Sequence, residues 1–281
     1  MTPAKPSLRK SLTRFLVFAS AIYLGIALPM TLMQRHLLYW PVRISLAEAK
    51  QTAAEEGVLP WLNAAGEIIG WKVLNGGRPA GTVLITHGVD GCALDRALLA
   101  MTIRRAAGYD CYILEYPGYG ARGGRPSEKS LLAAADEAWG RLPLQAPVYL
   151  ISESLGAGVA AHLAREHPAT VSGLVLFVPY DRLTAVAQHH LPLLPAAWLL
   201  WDRFAPADDL AHYHGPLKVV IGGADWVIPA RFGQRLYDDY AGPKSLQIIP
   251  QAGHAQTMAQ SIEWWQQVFA FLKTKNGGAG N

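Results

Sequence analysis

Cysteine is nearly missing from this chain: 281 residues carry only Cys92 and Cys111. Two thiols cannot build a disulfide framework, and their spacing is not that of a metal site. Four histidines, His189, His190, His212 and His214, come without a cysteine or carboxylate cluster, so they read as surface or lid side chains rather than ligands. Charge is also sparse, with 16% charged residues, a formal net charge of +4 and no basic block in the globular part. That pattern excludes nucleic acid as an expected partner. No internal repeat is present. Apolar residues, by contrast, make up 51% of the chain, enough for a sizeable core, and the length suits one large domain with additions.

The longest apolar run lies near the N-terminus, from Phe15 to Gln34, with no formal charge between Arg14 and Arg35. About 20 residues of helix cross roughly 30 Å of hydrocarbon. Lys5, Arg9, Lys10 and Arg14 precede the run, whereas Arg35 and Arg43 follow it. The positive-inside rule then expects a cytoplasmic N-terminus and a main domain on the non-cytoplasmic, periplasmic side. Two readings of the run stay open. One is a retained transmembrane anchor; the other is a cleaved signal peptide, with small-residue sites at Ala19-Ser20-Ala21 or Gly25-Ile26-Ala27.

The expected organisation is a tail and anchor over 1–34, a juxtamembrane collar over 35–57, a globular domain over 58–275 and a disordered tail over 276–281. In the collar, Ser45 and Glu48 stand three apart as a capping box for a short helix ending near Gly57. Strand-like runs 58–63 and 68–74, joined around Gly66, predict a hairpin. Apolar strands then alternate with amphipathic helices: strands over 82–86, 111–116, 148–153, 174–178, 218–221 and 246–249, helices over 95–107, 130–142 and 262–272. Continuous apolar strands separated by helices imply a mostly parallel sheet covered on both faces, an α/β fold. Between Val178 and Leu217 the rhythm breaks for almost forty residues, and a segment at about 181–214 is expected either to form a lid or to be a plain connecting helix.

The chemistry-bearing stretch is Val148 to Gly158, an apolar strand that ends in small residues and turns into a helix. A nucleophile raised on such a turn needs small residues two before and two after it. Ser154 has Ser152 and Gly156 there; Ser152 has Leu150 two back and fails. The plain alternative is a serine capping the next helix. A serine nucleophile needs a base, an acid that orients the base, and donors for the oxyanion. His254 follows the last strand, Asp225 follows the strand at 218–221, and the order Ser154, Asp225, His254 is the one expected on this kind of sheet. Asp181 and Asp202 are rival acids. For the oxyanion, His87-Gly88-Val89 follows a strand, so the Val89 N–H could join that of Leu155.

With these residues the chain resembles the α/β-hydrolase superfamily, and within it a branch of serine hydrolases with one N-terminal membrane anchor that includes protein depalmitoylases and uncharacterised bacterial members. The resemblance extends to Gln34-Arg35-His36-Leu37-Leu38-Tyr39-Trp40-Pro41, Tyr116-Pro117-Gly118-Tyr119-Gly120 and Gly124-Arg125-Pro126-Ser127-Glu128. The chain departs from the branch at Ser152, where the elbow usually has glycine, at Pro117, where arginine is common, and at Trp226, where an acidic residue is common.

The expectation is a membrane-anchored serine hydrolase of the α/β-hydrolase fold that cleaves carboxylic esters or thioesters of lipid-like acyl substrates through an acyl-enzyme. No metal or organic cofactor is implied. An amidase or peptidase on the same triad is the neighbouring reading, and a catalytically silent, membrane-tethered binding module is the reading from another class.

Overall fold

The computed structural model of the chain describes residues 8–145 and 147–276. It begins with a long helix, α1 (Leu8–Leu38), of which Ser11–Leu38 has the length and a mean hydropathy of 2.0 that a membrane span requires. The helix carries Pro29 within it and runs past the expected collar boundary at 35 to Leu38, and the Tyr39 N–H still bonds back to the Arg35 carbonyl at 3.0 Å. The chain then forms the short strand β1 (Trp40–Pro41) and helix α2 (Leu46–Glu55). The capping box read from the sequence is present there: Ser45 accepts from the Glu48 N–H, and Glu48 accepts from the Ser45 N–H at 2.8 Å.

Next come the hairpin strands β2 (Leu59–Leu62) and β3 (Ile68–Val73), then β4 (Thr82–Thr86), the two-residue β5 (Asp90–Gly91), helix α3 (Ala97–Ala107) and β6 (Asp110–Leu114). Residues 93–96, which the periodicity assigns in part to α3, form a separate 3-10 turn. Helix α4 (Glu128–Trp139) leads to β7 (Val148–Glu153), α5 (Gly156–Glu166) and β8 (Val171–Phe177). The long insertion contains three short helices, α6 (Leu183–His190), α7 (Ala196–Leu199) and α8 (Pro206–Leu210). The chain continues through β9 (Leu217–Gly222), α9 (Ala230–Asp239), β10 (Lys244–Ile249) and α10 (Ile262–Asn276). Most of the tail expected to be disordered, from 277 onward, lies outside the described residues.

Eight strands form one sheet in the order β10-β9-β8-β7-β4-β6-β3-β2. Only the β6–β3 and β3–β2 pairings are antiparallel, so the hairpin closes one edge of an otherwise parallel sheet. All six residues of β7 are buried, as a central strand covered on both faces requires. One core packs α4, α5 and α9 onto one face, and a second packs α2, α3 and α10 onto the other. The C-terminal ends of β4, β7, β9 and β10 therefore open together along one edge of the sheet, where ligands bind in parallel α/β sheets.

Candidate active site

Between β7 and α5 the chain turns at Ser154, whose φ of 54° is unusual for a residue with a side chain. Its N–H is tied to the Phe177 carbonyl at 3.0 Å, which holds the turn against β8. A Cβ at Gly156 would run into the Thr86 and His87 carbonyls, so the second small position of the elbow is a real steric demand. At the first, Ser152 lies between Thr86 and Leu176 in the sheet, and its buried hydroxyl has no partner among the described residues.

After β9, Asp225 points its two oxygens in different directions. Oδ1 accepts the N–H groups of Val227 and Ile228 at 2.8 and 2.9 Å. Oδ2 is then left for His254, whose Nδ1 lies 2.7 Å away. A carboxylate only accepts, so Nδ1 carries the proton and Nε2 presents its lone pair. The Ser154 hydroxyl donates to that lone pair across 2.9 Å. The Asp225 side chain is fully buried and the imidazole about one-fifth exposed, so the carboxylate is shielded while the ring reaches the cleft. Such a relay can move a proton off a hydroxyl while the carboxylate stabilises the imidazolium that results.

The two rival acids are engaged elsewhere: Asp181 pairs with Arg235 at 3.0 Å, and Asp202 with Arg35 at 2.9 Å. Of the four histidines set aside as non-ligands, His190 has a structural role here, since its Nε2 donates to the Val227 carbonyl at 2.9 Å and braces the loop that holds Asp225. Among the described residues no group of three metal-ligating side chains occurs.

The second loop at the site follows β4. Gly88 sits so close that a Cβ would lie 3.4 Å from that of Ser154. The Val89 carbonyl is fixed by the Trp40 N–H at 2.9 Å and the Tyr119 hydroxyl at 2.7 Å. Among the described residues neither the Val89 N–H nor the Leu155 N–H is taken by a protein acceptor, which leaves both free for a ligand oxygen.

Sequence reasoning missed the charged scaffold behind these loops. Arg96 donates to Glu153, the residue before the elbow serine, from Nε at 3.1 Å and from its terminal nitrogen at 2.7 Å. Burial opposes the Arg96 charge, but the carboxylates of Glu153, Asp90 and Asp95 together outweigh it and raise the guanidinium pKa. Beside them Glu115 accepts the Ala93 N–H at 3.1 Å, and burial pushes its carboxyl up to about 7. Burial, followed by the Arg96 charge, holds His87 well below the usual imidazole range, so it is neutral. No spacing in the sequence links Arg96 to Glu153; only the adjacency of β4 and β7 does.

The profile of a family described as "Serine aminopeptidase, S33" matches residues 77–206, the segment that holds the elbow and both flanking strands. An uncharacterised protein of Mycobacterium tuberculosis is 34% identical over 230 residues, covering 79% of this chain and 80% of that protein. This chain belongs to the α/β-hydrolase superfamily. The hydrolase also resembles a lysophosphatidylserine lipase of Xenopus tropicalis, at 27% identity over 66% of this chain, and spans about half (53%) of that protein's length. Among solved structures, a Pyrococcus furiosus esterase superposes with a TM-score of 0.61 at 18% identity, covering 85% of this hydrolase and 99% of the esterase. A Butyrivibrio proteoclasticus protein solved with ferulic acid bound gives 0.58 at 14% identity, covering 73% and 95%. At such identities the superpositions establish the fold. The protein is a serine hydrolase of this superfamily.

Proposed function

We propose that this hydrolase cleaves carboxylic ester or thioester bonds of acyl lipids at a membrane surface, with Ser154, His254 and Asp225 as its catalytic triad. The observation that carries the reading is the hydroxyl of Ser154 held 2.9 Å from His254 Nε2 while Nδ1 is held 2.7 Å from Asp225. Ser154 Oγ attacks the acyl carbon as its proton passes to His254, and the carbonyl oxygen becomes an oxyanion facing the Val89 and Leu155 N–H groups. His254 then protonates the leaving alcohol or thiol as the tetrahedral centre collapses to the acyl-enzyme. Water, deprotonated by His254, attacks that acyl group and releases the acid with Ser154 restored. The kinship with a lysophosphatidylserine lipase supports an ester of a lipid, and the anchored depalmitoylase-like branch supports a thioester.

The apolar helix α1 is read as a retained anchor with the domain on the non-cytoplasmic side, and residues 181–214 as a lid. Leu193 and Trp198 of this lid are 87% and 86% exposed, as side chains meant for an interface would be. The family description "Serine aminopeptidase" favours a second reading, amide or peptide cleavage by the same triad.

Two measurements on the detergent-solubilised full chain test the proposal. Ser154→Ala is expected to abolish labelling by a fluorophosphonate, and Ser152→Ala to keep it. A panel of acyl esters, thioesters and amides is expected to show turnover of the first two classes above the third. Labelling that persists in Ser154→Ala, or turnover confined to amides, would overturn it.

A further inference from the structure

The C-terminal end of α1 does more than leave the membrane; it lies against the lid. Ala27, Met30, Thr31, Gln34 and Leu38 recur on one helix face and, among the α1 positions whose exposure is described, are the ones withdrawn from the surface. Between this face and the lid is a cavity of about 260 Å³. Met30, Thr31 and Leu38 form its α1 side, and Val186, Leu194 and Leu199 stand opposite on the lid. We propose that α1 is a wall of the acyl-binding site, so that one linear acyl chain of the substrate lies between the anchor helix and the lid and enters sideways from the bilayer along α1. This rests on the acyl-hydrolase reading above and deepens it.

Three observations converge on that assignment. The helix is clamped to the lid with a specificity that a mere tether does not need. The Gln34 side-chain amide donates to the Leu199 carbonyl at 3.2 Å and accepts the Trp201 N–H at 2.7 Å. At the next residue the Arg35 guanidinium grips both oxygens of buried Asp202 at 2.9 Å, and about one turn further the Tyr39 hydroxyl adds a third donor at 3.1 Å. Planar, bidentate contacts of this kind set orientation as well as proximity.

The cavity lining holds neither a triad residue nor an oxyanion donor, but two of its walls connect to the loops that carry them. Leu38 precedes by two residues Trp40, whose N–H holds the Val89 carbonyl. His190, another wall residue, donates to the Val227 carbonyl, and the Val227 N–H in turn holds Asp225. Both connections join cavity walls to loops that position the triad and the oxyanion donors.

Finally, the lining selects its ligand. It is almost wholly aliphatic, and the Thr31 hydroxyl is already spent on the Ala27 carbonyl at 2.8 Å. A polar head group would be left unpaired there, whereas an alkyl chain loses nothing. The space is many times what a single water needs, roughly 10–15 Å³ on this measure, so it suits a run of methylenes rather than a solvent molecule. The outward side chains of α1, among them Phe18, Leu24 and Leu28, are exposed and apolar, so a chain sliding along the helix stays in hydrocarbon until it meets the lid.

The test uses the full chain in detergent micelles and a series of acyl esters from acetyl to palmitoyl. Thr31→Trp on α1 and Ala187→Trp on the lid fill the cavity from its two sides, and Met30→Phe is a milder filling should the tryptophans not fold. The expected result is a fall of at least about tenfold in the octanoyl-to-acetyl ratio of kcat/KM in each of them. Leu32→Trp, on the exposed face turned away from the lid, is expected to leave that ratio as it is. Fluorophosphonate labelling checks that each variant is folded. An unchanged ratio in labelled Thr31→Trp and Met30→Phe would overturn the role of α1 even if Ala187→Trp shifts it, and an equal loss on all chain lengths would overturn the chain pocket. Wild-type protein that turns over esters with no such shift leaves the acyl-hydrolase reading standing, whereas wild-type protein that turns over no ester or thioester removes both.

Discussion

Ser154 holds its backbone where side-chain-bearing residues cost about 1–3 kcal/mol, and it is not alone. Val178, β-branched and buried, has a φ of 43° immediately after Phe177, whose carbonyl holds the Ser154 N–H. The Val178 N–H is in turn tied to the Val220 carbonyl at 2.8 Å. Three neighbouring strands therefore impose this pair of unusual conformations, and hydrogen bonds across their ends keep the serine raised. Asp225 is stabilised in a comparable way: two backbone donors fill one oxygen and leave the other for the imidazole. An amide in its place could still accept those donors but would turn an N–H toward Nδ1 and stabilise the opposite tautomer. Asp225→Asn is thus expected to fold and to lose about 10⁴ in kcat on the best ester substrate. Asp181→Asn, whose wild-type partner is Arg235, is expected to retain turnover within about threefold, because that pair lies outside the hydrogen-bonded relay of Ser154, His254 and Asp225. The reverse pattern in steady-state kinetics would move the acid to the end of β8.

Among elements, the informative place is where β6 ends and the 3-10 turn at 93–96 meets the oxyanion loop. The pattern of apolar residues extends a strand to Tyr116, yet β6 stops at Leu114, because Glu115 turns its carboxyl inward to the Ala93 N–H. Gly120 has a φ of 50°, and a Cβ there would strike that same carboxyl, so the turn after β6 is built around it. Burial raises Glu115 to about 7, from an ordinary value of 4.5. The folded chain therefore keeps a proton that the unfolded chain has released between about pH 4.5 and 7, and stability falls as pH rises through that window. The loss amounts to at most about 3 kcal/mol if the whole shift is expressed. Glu115→Gln removes this contribution. Its thermal midpoint in detergent, compared with that of the parent protein at matched pH, is expected to gain on the parent steadily from about pH 4.5 to 7. A constant difference across that range would mean that Glu115 is ionised in the folded protein.

For the whole molecule, the question is how an apolar helix and a buried parallel sheet are joined. Most of the α1 surface is uncovered: only 6% of the spanning window is buried. The covered part lies at its C-terminal end, where Gln34, Arg35 and Tyr39 meet the lid. Cleavage at Ala21 would discard nearly half of the helix, and cleavage at Ala27 would discard most of it and cut into the face that contacts the lid. The proposal of a retained anchor leads to a direct expectation. The intact, unshortened chain sediments with membranes, and protease added to cells with only the outer barrier opened removes the domain. A shortened chain in the soluble fraction would make the segment a signal peptide, and a protected, membrane-bound domain would reverse the orientation.

Much of this architecture is legible in residue order alone. Apolar runs at 82–86 and 148–153 are strands because five and six consecutive buried positions suit a sheet covered on both faces, and Ser45 with Glu48 starts a helix because the box satisfies donors locally. The elbow is legible for the same reason: small residues at fixed offsets reflect a local steric demand around Ser154. The order of Ser154, Asp225 and His254 is also visible, although residues 29 to 100 positions apart become partners only when β7, β9 and β10 end on one edge. What residue order cannot carry is pairing between distant segments that leave no periodic trace. Arg96 with Glu153, Arg35 with Asp202, and His190 with the Val227 carbonyl are each made by one side chain reaching across a boundary between elements. Such contacts depend on strand order and on how the lid packs against α1, and those are decided by burial of the whole apolar surface at once rather than by any single stretch.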